Sequence, residues 1–170
     1  VADDAFANTP LNYLDLSNNI IERLPNVTDV SATMYSLILE GNQISTIPSS
    51  YFTELKLLKY VKFRYNGLTQ FPNLQGLELN YLGLTYNHID CIDESSFGNL
   101  SVSYELELSY NPLQNLPGSL FYTLMESLPK LQELYLISCN LKTFPDHRTA
   151  NGGLKVYLKG NPSECDCRLA

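Results

Sequence analysis

The sequence is poor in the residues and segments that catalysis, nucleic-acid binding and membrane insertion require. It has 11 Lys and Arg residues against 18 Asp and Glu residues, and the net charge of −7 argues against a nucleic-acid partner, since such proteins carry a basic face. No apolar run approaches the roughly 18 residues needed to span a bilayer, so we expect no membrane-spanning segment in this chain. Neither a phosphate-binding loop nor metal-ligand spacing occurs, which predicts a chain with no cofactor and no bound metal.

An Asn recurs at a nearly fixed period along the chain and is replaced once by Cys. These anchors, spaced 21 to 28 residues apart, are Asn19, Asn42, Asn66, Asn87, Asn111, Cys139 and Asn161. Apolar residues precede each anchor at fixed distances, as Leu11, Leu14 and Leu16 precede Asn19, although the fifth and seventh repeats each lose one apolar position. A fixed period in this range predicts a solenoid.

The repeat also predicts the local structure of each coil. Alternating apolar residues suit a short strand with one buried face. The anchor Asn would turn the chain, and its amide would bond to backbone groups that the turn leaves unpaired. Because one coil cannot bury its apolar face alone, coils stack and their strands form one parallel sheet. We therefore predict an α/β, β-rich solenoid with a parallel sheet on the concave face and loops and short helices, one of them within 119–128, on the convex face.

The pattern LxxLxLxxN/CxL resembles the leucine-rich-repeat family over nearly the whole chain. Five repeats continue with an apolar residue and Pro, and Phe52, Phe97 and Phe121 lie ten residues past their anchors, a spacing similar to the typical extracellular subtype. The resemblance includes the ectodomains of Toll-like receptors, Slit and variable lymphocyte receptors. It implies a leucine-rich-repeat horseshoe.

The ends of the chain suggest two segments: a solenoid of about seven repeats over 1–160 and a truncated cap over 161–170. The cap contains Cys165 and Cys167 in an NPxxCxC motif, which resembles the start of the cysteine-rich C-terminal cap of extracellular repeat proteins. In that family these cysteines pair with two later ones, so here their pairing stays open and a disulfide-linked partner is one alternative. A zinc site is the rival interpretation, but further ligands are missing nearby. Phe6 has the spacing of a preceding coil, which predicts missing sequence upstream.

Two N-glycosylation sequons occur outside the expected strands, at Asn26 and Asn99. Together with the cap motif they favour an oxidising, extracellular setting, either as a secreted protein or as the ectodomain of a cell-surface protein.

The alignment places the residues six, four, two and one positions before each anchor on the open face of the sheet. Eight of the twelve tyrosines occupy such positions. Tyrosine offers a large, rigid contact and a hydroxyl at small entropic cost, which favours ligand binding, although strand propensity and cross-strand pairing would also enrich it. The candidate ligand-binding residues are Tyr13, Tyr60, Lys62, Arg64, Tyr65, Tyr81, Tyr86, Glu105, Glu107, Tyr110, Tyr135 and Tyr157.

Catalysis has little support in the sequence. The only histidines are His88 and His147, and His88 lies three residues from Cys91, a spacing that could pair a base with a nucleophile. The alignment nevertheless places His88 in an exposed turn without an enclosed pocket. Because catalysis requires site geometry, we predict a non-enzymatic protein with no catalytic residues.

Two functions remain open. The resemblance implies extracellular recognition of a protein or glycan ligand, with innate-immune and cell-surface receptors among the relatives, and fold alone does not select among these roles. The alternative is a non-catalytic scaffold or subunit of a larger extracellular assembly, which would cover the terminal coils. The partner would lie on the tyrosine-bearing sheet in the first case and on the terminal coils in the second.

Overall fold

The computed structural model describes residues 2, 4–7, 9–113, 123–124, 126–142 and 153–162. Within these ranges seven short strands lie side by side in sequence order, all parallel, in one sheet. They are β1 (Tyr13–Asp15), β2 (Ser36–Ile38), β3 (Tyr60–Lys62), β4 (Glu78–Gly83), β5 (Ser101–Glu107), β6 (Glu133–Tyr135) and β7 (Lys155–Tyr157). One strand precedes each of the seven anchors, so the predicted solenoid is confirmed.

The register of the sheet follows the repeat, with one irregularity. Leu14 is paired with Leu37, and Leu37 with Val61, as equivalent positions of successive coils. Between β4 and β5 the register shifts, so that Asn80 of β4 faces both Ser103 and Tyr104 of β5. Such a β-bulge re-aims side chains and is common beside functional sites.

The hydrophobic core runs along the solenoid behind the sheet. The central strand residues Leu37, Val61 and Leu82 are completely buried. On the convex side Phe52 and Phe97 are buried too, as their spacing predicts. Each coil therefore covers the apolar face of its neighbours, which is how a solenoid is stabilised.

Within 9–113 the convex side contains loops and two 3₁₀-helices, Thr28–Val30 and Glu94–Phe97. Of the convex helix predicted within 119–128, residues 123, 124, 126 and 127 are helical and residue 128 is not, while 119–122 and 125 lie outside the described residues. Across the part of the chain that the structure describes, every helix is too short or too polar to cross a bilayer.

The anchor side chains join successive coils by hydrogen bonds. Asn87 Nδ2 donates to the carbonyl oxygens of Phe63 at 2.8 Å and Leu84 at 3.0 Å, and Asn87 Oδ1 accepts from the Leu68 N–H at 3.0 Å. The same three-bond pattern recurs at Asn42, Asn66, Asn111 and Asn161. The predicted amide role is thus confirmed.

Cys139 occupies the anchor position but forms only part of this pattern. Its thiol donates to the Leu108 carbonyl oxygen at 3.3 Å. An Asn at this anchor would accept a hydrogen bond from the Leu113 N–H. With Cys in its place, the Leu113 N–H donates to the Asn111 carbonyl oxygen at 2.8 Å. Cys139 is buried and Cys91 is exposed, as predicted, and both thiols are free.

Candidate binding face

The twelve candidate ligand-binding residues lie on the concave face as one separate residue and three groups. Tyr13 stands apart on β1, with 54% of its surface exposed and its hydroxyl 3.5 Å from Asp15 Oδ2. The tyrosine ridge is Tyr65, Tyr86 and Tyr110. The central cluster is Tyr60, Lys62, Arg64, Tyr81, Glu105 and Glu107. The distal pair is Tyr135 and Tyr157.

The tyrosine ridge is a column of three stacked rings on successive coils. The ring centroids of Tyr65 and Tyr86 are 4.5 Å apart with planes 12° apart, and those of Tyr86 and Tyr110 are 4.1 Å apart with planes 5° apart. The three side chains remain 52%, 37% and 41% exposed. Three aromatic rings thus form a continuous, solvent-facing ridge along the end of the central strands.

The backbone beneath this ridge adopts an unusual conformation for tyrosine. The residue before every anchor has a left-handed backbone, with φ between 52° and 77°, and these residues are Asn18, Gly41, Tyr65, Tyr86, Tyr110, Ser138 and Gly160. Gly and Asn adopt this conformation readily, whereas other side chains incur a cost of about 1–2 kcal/mol. Each stacked pair of rings contributes about 0.5–1.5 kcal/mol, which offsets part of this backbone cost. Three tyrosines on successive coils thus hold a backbone conformation that is costly for their side chains, while their rings stay exposed.

The central cluster joins charges and aromatic rings across β3, β4 and β5. Arg64 Nε lies 3.4 Å from Glu107 Oε2, and Lys62 Nζ lies 5.2 Å from the centroid of the Tyr81 ring. The Tyr81 ring covers Gly83, where an added Cβ would come within 2.8 Å of the ring. Burial, together with a hydrogen bond to Glu107, raises the pKa of Tyr81, so its hydroxyl stays protonated.

The two carboxyl groups of the cluster, those of Glu105 and Glu107, interact with each other. Burial raises the pKa of Glu105 to about 7, and the hydrogen bond and negative charge of Glu107 act in the same direction. Glu107 also lies 3.4 Å from the Thr85 hydroxyl.

The distal pair forms a second stacked contact at the far end of the sheet. The ring centroids of Tyr135 and Tyr157 are 4.2 Å apart, with planes 8° apart. The Tyr135 hydroxyl donates to Glu133 Oε2 at 2.6 Å, and Lys155 Nζ donates to Glu133 Oε1 at 3.0 Å. These two bonds, the tyrosine bond first, lower the pKa of Glu133. Cross-strand pairing thus explains part of the tyrosine enrichment.

Some positions on the open side of the sheet are covered rather than exposed. Ser36 and Ile38 of β2 retain only 6% and 8% of their accessible surface. In register, Ser36 lies between the larger Tyr13 and Tyr60, and Ile38 lies between Asp15 and Lys62. The alignment assigns them to the open face, but it does not take account of the size of adjacent side chains.

Sequence reasoning missed the residues around the bulge: Asn80, Ser103, Tyr104 and Gln132, which border a cavity with members of the central cluster. Ser103 was the one indication of these residues in the sequence, because the position eight residues before the anchor is apolar in five of the other six repeats. In the structure Val102 is completely buried and pairs with Leu79 instead. The extra residue in β5 produces the bulge.

The two predicted glycosylation sites and His88 lie outside the strands. Asn26 and Asn99 are both exposed, and Asn26 Oδ1 accepts from the Thr28 hydroxyl at 2.8 Å, but glycosylation itself stays a prediction. His88 is exposed, as expected for a turn position. Cys165 and Cys167 lie outside the described residues. Within the described ranges no group of three or more His, Cys, Asp or Glu side chains could hold a metal ion.

Comparison with known proteins shows a consistent set of similarities. A family model described as leucine rich repeat matches residues 32–89. The chain is 39% identical over 107 residues to lumican of Homo sapiens, covering 63% of the chain and 25% of lumican. It is 33% identical over 155 residues to keratocan of Gallus gallus, covering 89% of the chain and 43% of keratocan.

Two further proteins extend the comparison. The chain is 33% identical over 131 residues to leucine-rich repeats and immunoglobulin-like domains protein 3 of Homo sapiens, covering 74% of the chain and 11% of that protein. Among solved structures, a functional domain of InlJ from Listeria monocytogenes, which includes a cysteine ladder, is similar with a TM-score of 0.67 and 28% identity. That similarity covers 90% of the chain and 31% of the InlJ chain. The chain spans less than half the length of these curated relatives.

Proposed function

The chain belongs to the leucine-rich-repeat family, and we propose that it is an extracellular, non-enzymatic recognition module that binds a protein or glycan ligand on its concave, tyrosine-rich face. The single observation that carries the proposal is the tyrosine ridge. Positions that favour Gly or Asn hold three adjacent tyrosines, whose stacked rings are 37% to 52% exposed. A structural role alone would not require that exposure, whereas recognition uses large, rigid aromatic contacts.

The extracellular part of the proposal is supported by the surface and by one relative. Both sequons, at Asn26 and Asn99, are exposed and lie outside the strands, where a glycan would leave the concave face open. One relative also carries immunoglobulin-like domains, an architecture common among cell-surface proteins. A cell-surface or innate-immune receptor is the narrower form of this proposal.

Binding to a panel tests the concave face directly. The protein is immobilised and screened by surface plasmon resonance against purified secreted and cell-surface proteins, and on a glycan array. Any ligand found is then titrated against the triple variant Tyr65→Asn/Tyr86→Asn/Tyr110→Asn. Asn is chosen because Asn18 already adopts the left-handed conformation at the equivalent position of coil one, so the backbone is preserved while the rings are removed.

The expected result is a loss of about 100-fold in affinity, because interface tyrosines of this kind typically cost more than 1 kcal/mol each when removed and each 1.4 kcal/mol is tenfold. The matched control is Leu57→Ser, which removes a side chain that is 53% exposed and lies outside the strands. This control should change affinity less than about twofold. Equal loss in both variants, or no loss in the triple variant, would contradict binding on the ridge and favour the scaffold alternative, with the partner on the terminal coils.

A further inference from the structure

A cavity of about 530 Å³ opens on the concave face at the bulge between β4 and β5. Three tyrosines, Tyr60, Tyr81 and Tyr104, line it together with one carboxylate, that of Glu105. The volume falls within the range of about 300–1,000 Å³ that is usual for ligand sites. The cavity is separate from the tyrosine ridge, which lies past the opposite ends of the strands.

The polar groups at the base of the cavity bond to each other. The Ser103 hydroxyl lies 3.2 Å from the Leu79 carbonyl oxygen and 3.3 Å from Asn80 Oδ1. The bulge is therefore stabilised internally. Recognition of a ligand is left mainly to the tyrosine rings, to Glu105 and to the side-chain amide of Gln132.

Glu105 differs from its two acidic neighbours in having no cationic partner. Glu107 lies 3.4 Å from Arg64 Nε, and Glu133 lies 3.0 Å from Lys155 Nζ. Among the described residues no Lys or Arg lies within 4.0 Å of the Glu105 carboxylate. A partly buried carboxylate without a counter-ion is costly, and an incoming cation would remove that cost.

The surroundings of Glu105 are acidic or aromatic except for Arg64 and Lys62, and Lys62 Nζ lies 5.2 Å from the centroid of the Tyr81 ring that lines the cavity. The titratable groups that interact with it are Glu107 on its own strand, Glu133 and Tyr135 on β6, Tyr81 on β4, and Arg64 after β3. Arg64 is engaged with Glu107, so its charge only partly offsets the negative field. Burial and the two neighbouring carboxylates raise the pKa of Glu105 to about 7.

We propose that this cavity accepts a basic side chain, the ammonium of Lys or the guanidinium of Arg, from a protein ligand bound on the concave face. The inference rests on the proposed function and specifies the ligand chemistry at one subsite. Tyrosine rings attract cations through their electron-rich faces. Because Lys62 already lies over the Tyr81 ring, Tyr60 and Tyr104 are the rings left for the ligand cation. The Glu105 carboxylate supplies the opposite charge. A neutral saccharide would use the rings but would leave that charge uncompensated.

Saturation-transfer difference NMR on the protein tests the subsite with small probes. The cationic probe is Nα-acetyl-arginine methylamide. The neutral probes are its isostere Nα-acetyl-citrulline methylamide and methyl α-mannoside. The arginine probe should give strong transfer to its side-chain methylene protons, with millimolar affinity, and both neutral probes should bind at least about fivefold more weakly because they lack the charge.

Variants and pH locate the binding. Glu105→Gln and Tyr104→Ser should each weaken binding of the arginine probe at least about fivefold, while Glu54→Gln, which removes an exposed convex carboxylate, should leave it unchanged. Between pH 8 and pH 5.5 affinity should fall by up to about 30-fold, because a group with a pKa of about 7 goes from about 90% to about 3% ionised. Glu105→Gln should abolish this dependence on pH.

Equal binding of citrulline, preferential binding of the mannoside, or arginine binding unaffected by Glu105→Gln would overturn the inference. Its failure is distinguishable from failure of the proposed function. The ridge variant Tyr65→Asn/Tyr86→Asn/Tyr110→Asn should leave probe binding intact, since none of its residues lines the cavity. Loss of macromolecular binding in the ridge variant, without cavity binding of the arginine probe, would refute the subsite alone.

Discussion

Removing one interior anchor, by Asn87→Ala, should destabilise the fold by an amount that the structure allows us to estimate. The two carbonyl oxygens that accept hydrogen bonds from Asn87 each keep a second donor. The Phe63 oxygen still accepts from Asn66 Nδ2 at 3.2 Å, and the Leu84 oxygen still accepts from Asn111 Nδ2 at 2.9 Å. The Leu68 N–H, bonded only to Asn87 Oδ1 and buried, keeps none. Lost hydrogen bonds cost about 1 kcal/mol each and an orphaned buried group about 1–3 kcal/mol, so we expect a total of about 3–5 kcal/mol.

The matched control is Asn19→Ala at the first anchor. Asn19 is exposed, and its amide donates only to the Leu16 and Ser17 carbonyl oxygens, each at 3.0 Å. The Leu16 oxygen also accepts from Asn42, and the position is open to water. The change should therefore cost less than about 1 kcal/mol.

Urea denaturation followed by circular dichroism gives the free energies of unfolding, and hydrogen exchange gives a local reading at Leu68. In Asn87→Ala the Leu68 amide should lose most of its protection, because its acceptor is gone. Similar free-energy losses in the two variants, or unchanged protection at Leu68, would refute the reasoning that the orphaned N–H dominates the cost.

Three further predictions concern the concave face and the cysteines. Tyr86→Ala should lower the free energy of unfolding by about 1–3 kcal/mol in denaturation experiments, because two stacked contacts are lost. Tyr86→Gly should lower it by about 1–2 kcal/mol less than Tyr86→Ala, because Gly adopts the left-handed backbone without strain. Equal losses in the two variants would rule out strain at this position. Because the pKa of Glu105 is raised from 4.5 to about 7, its stabilising contribution is complete below pH 4.5 and is lost as the pH rises through 7. Thermal denaturation should thus show Glu105→Gln gaining stability relative to the native protein between pH 5 and pH 8, and a gap that does not change with pH would contradict this. Of the two described cysteines, iodoacetamide should modify the exposed Cys91 in the folded protein and Cys139 only in denaturant, as read by mass spectrometry. The reason is that burial shields the Cys139 thiol and raises its pKa to about 11. Modification of both cysteines at equal rates in the folded protein would exclude that burial.

The fold could be predicted from the sequence because its constraints repeat. An Asn anchor with apolar residues at fixed distances describes a coil that can only be buried by another like it, and six successive intervals leave little freedom of register. The hydrogen-bond pattern of Asn87 could be predicted because the same residue type occurs at the equivalent position of neighbouring coils. Each coil therefore provides independent evidence for the alignment of the others.

The surface could be predicted only in outline. The alignment assigns Tyr65, Tyr86 and Tyr110 to the concave side. Their left-handed backbone is indicated in the sequence only by Asn18, Gly41 and Gly160, which occupy the same position in other coils. Stacking depends on the sizes of adjacent residues, which no single repeat contains.

The cavity at the bulge arises from one departure from the pattern. Ser103 stands where most other repeats have an apolar residue, and the shift of Val102 into the core adds a residue to β5. The substitution can be read from the sequence. Its consequence, a cavity beside Glu105, depends on packing between two strands.

Oxidative footprinting of the protein, with and without a ligand identified in the binding panel, tests the central claim of concave recognition most directly. Hydroxyl radicals modify exposed aromatic side chains, so ligand contact should lower modification of Tyr65, Tyr86 and Tyr110 while leaving Leu57, outside the strands, unchanged. Protection confined to the terminal coils or to the convex loops, with the three ridge tyrosines still fully modified, would contradict recognition on the concave face.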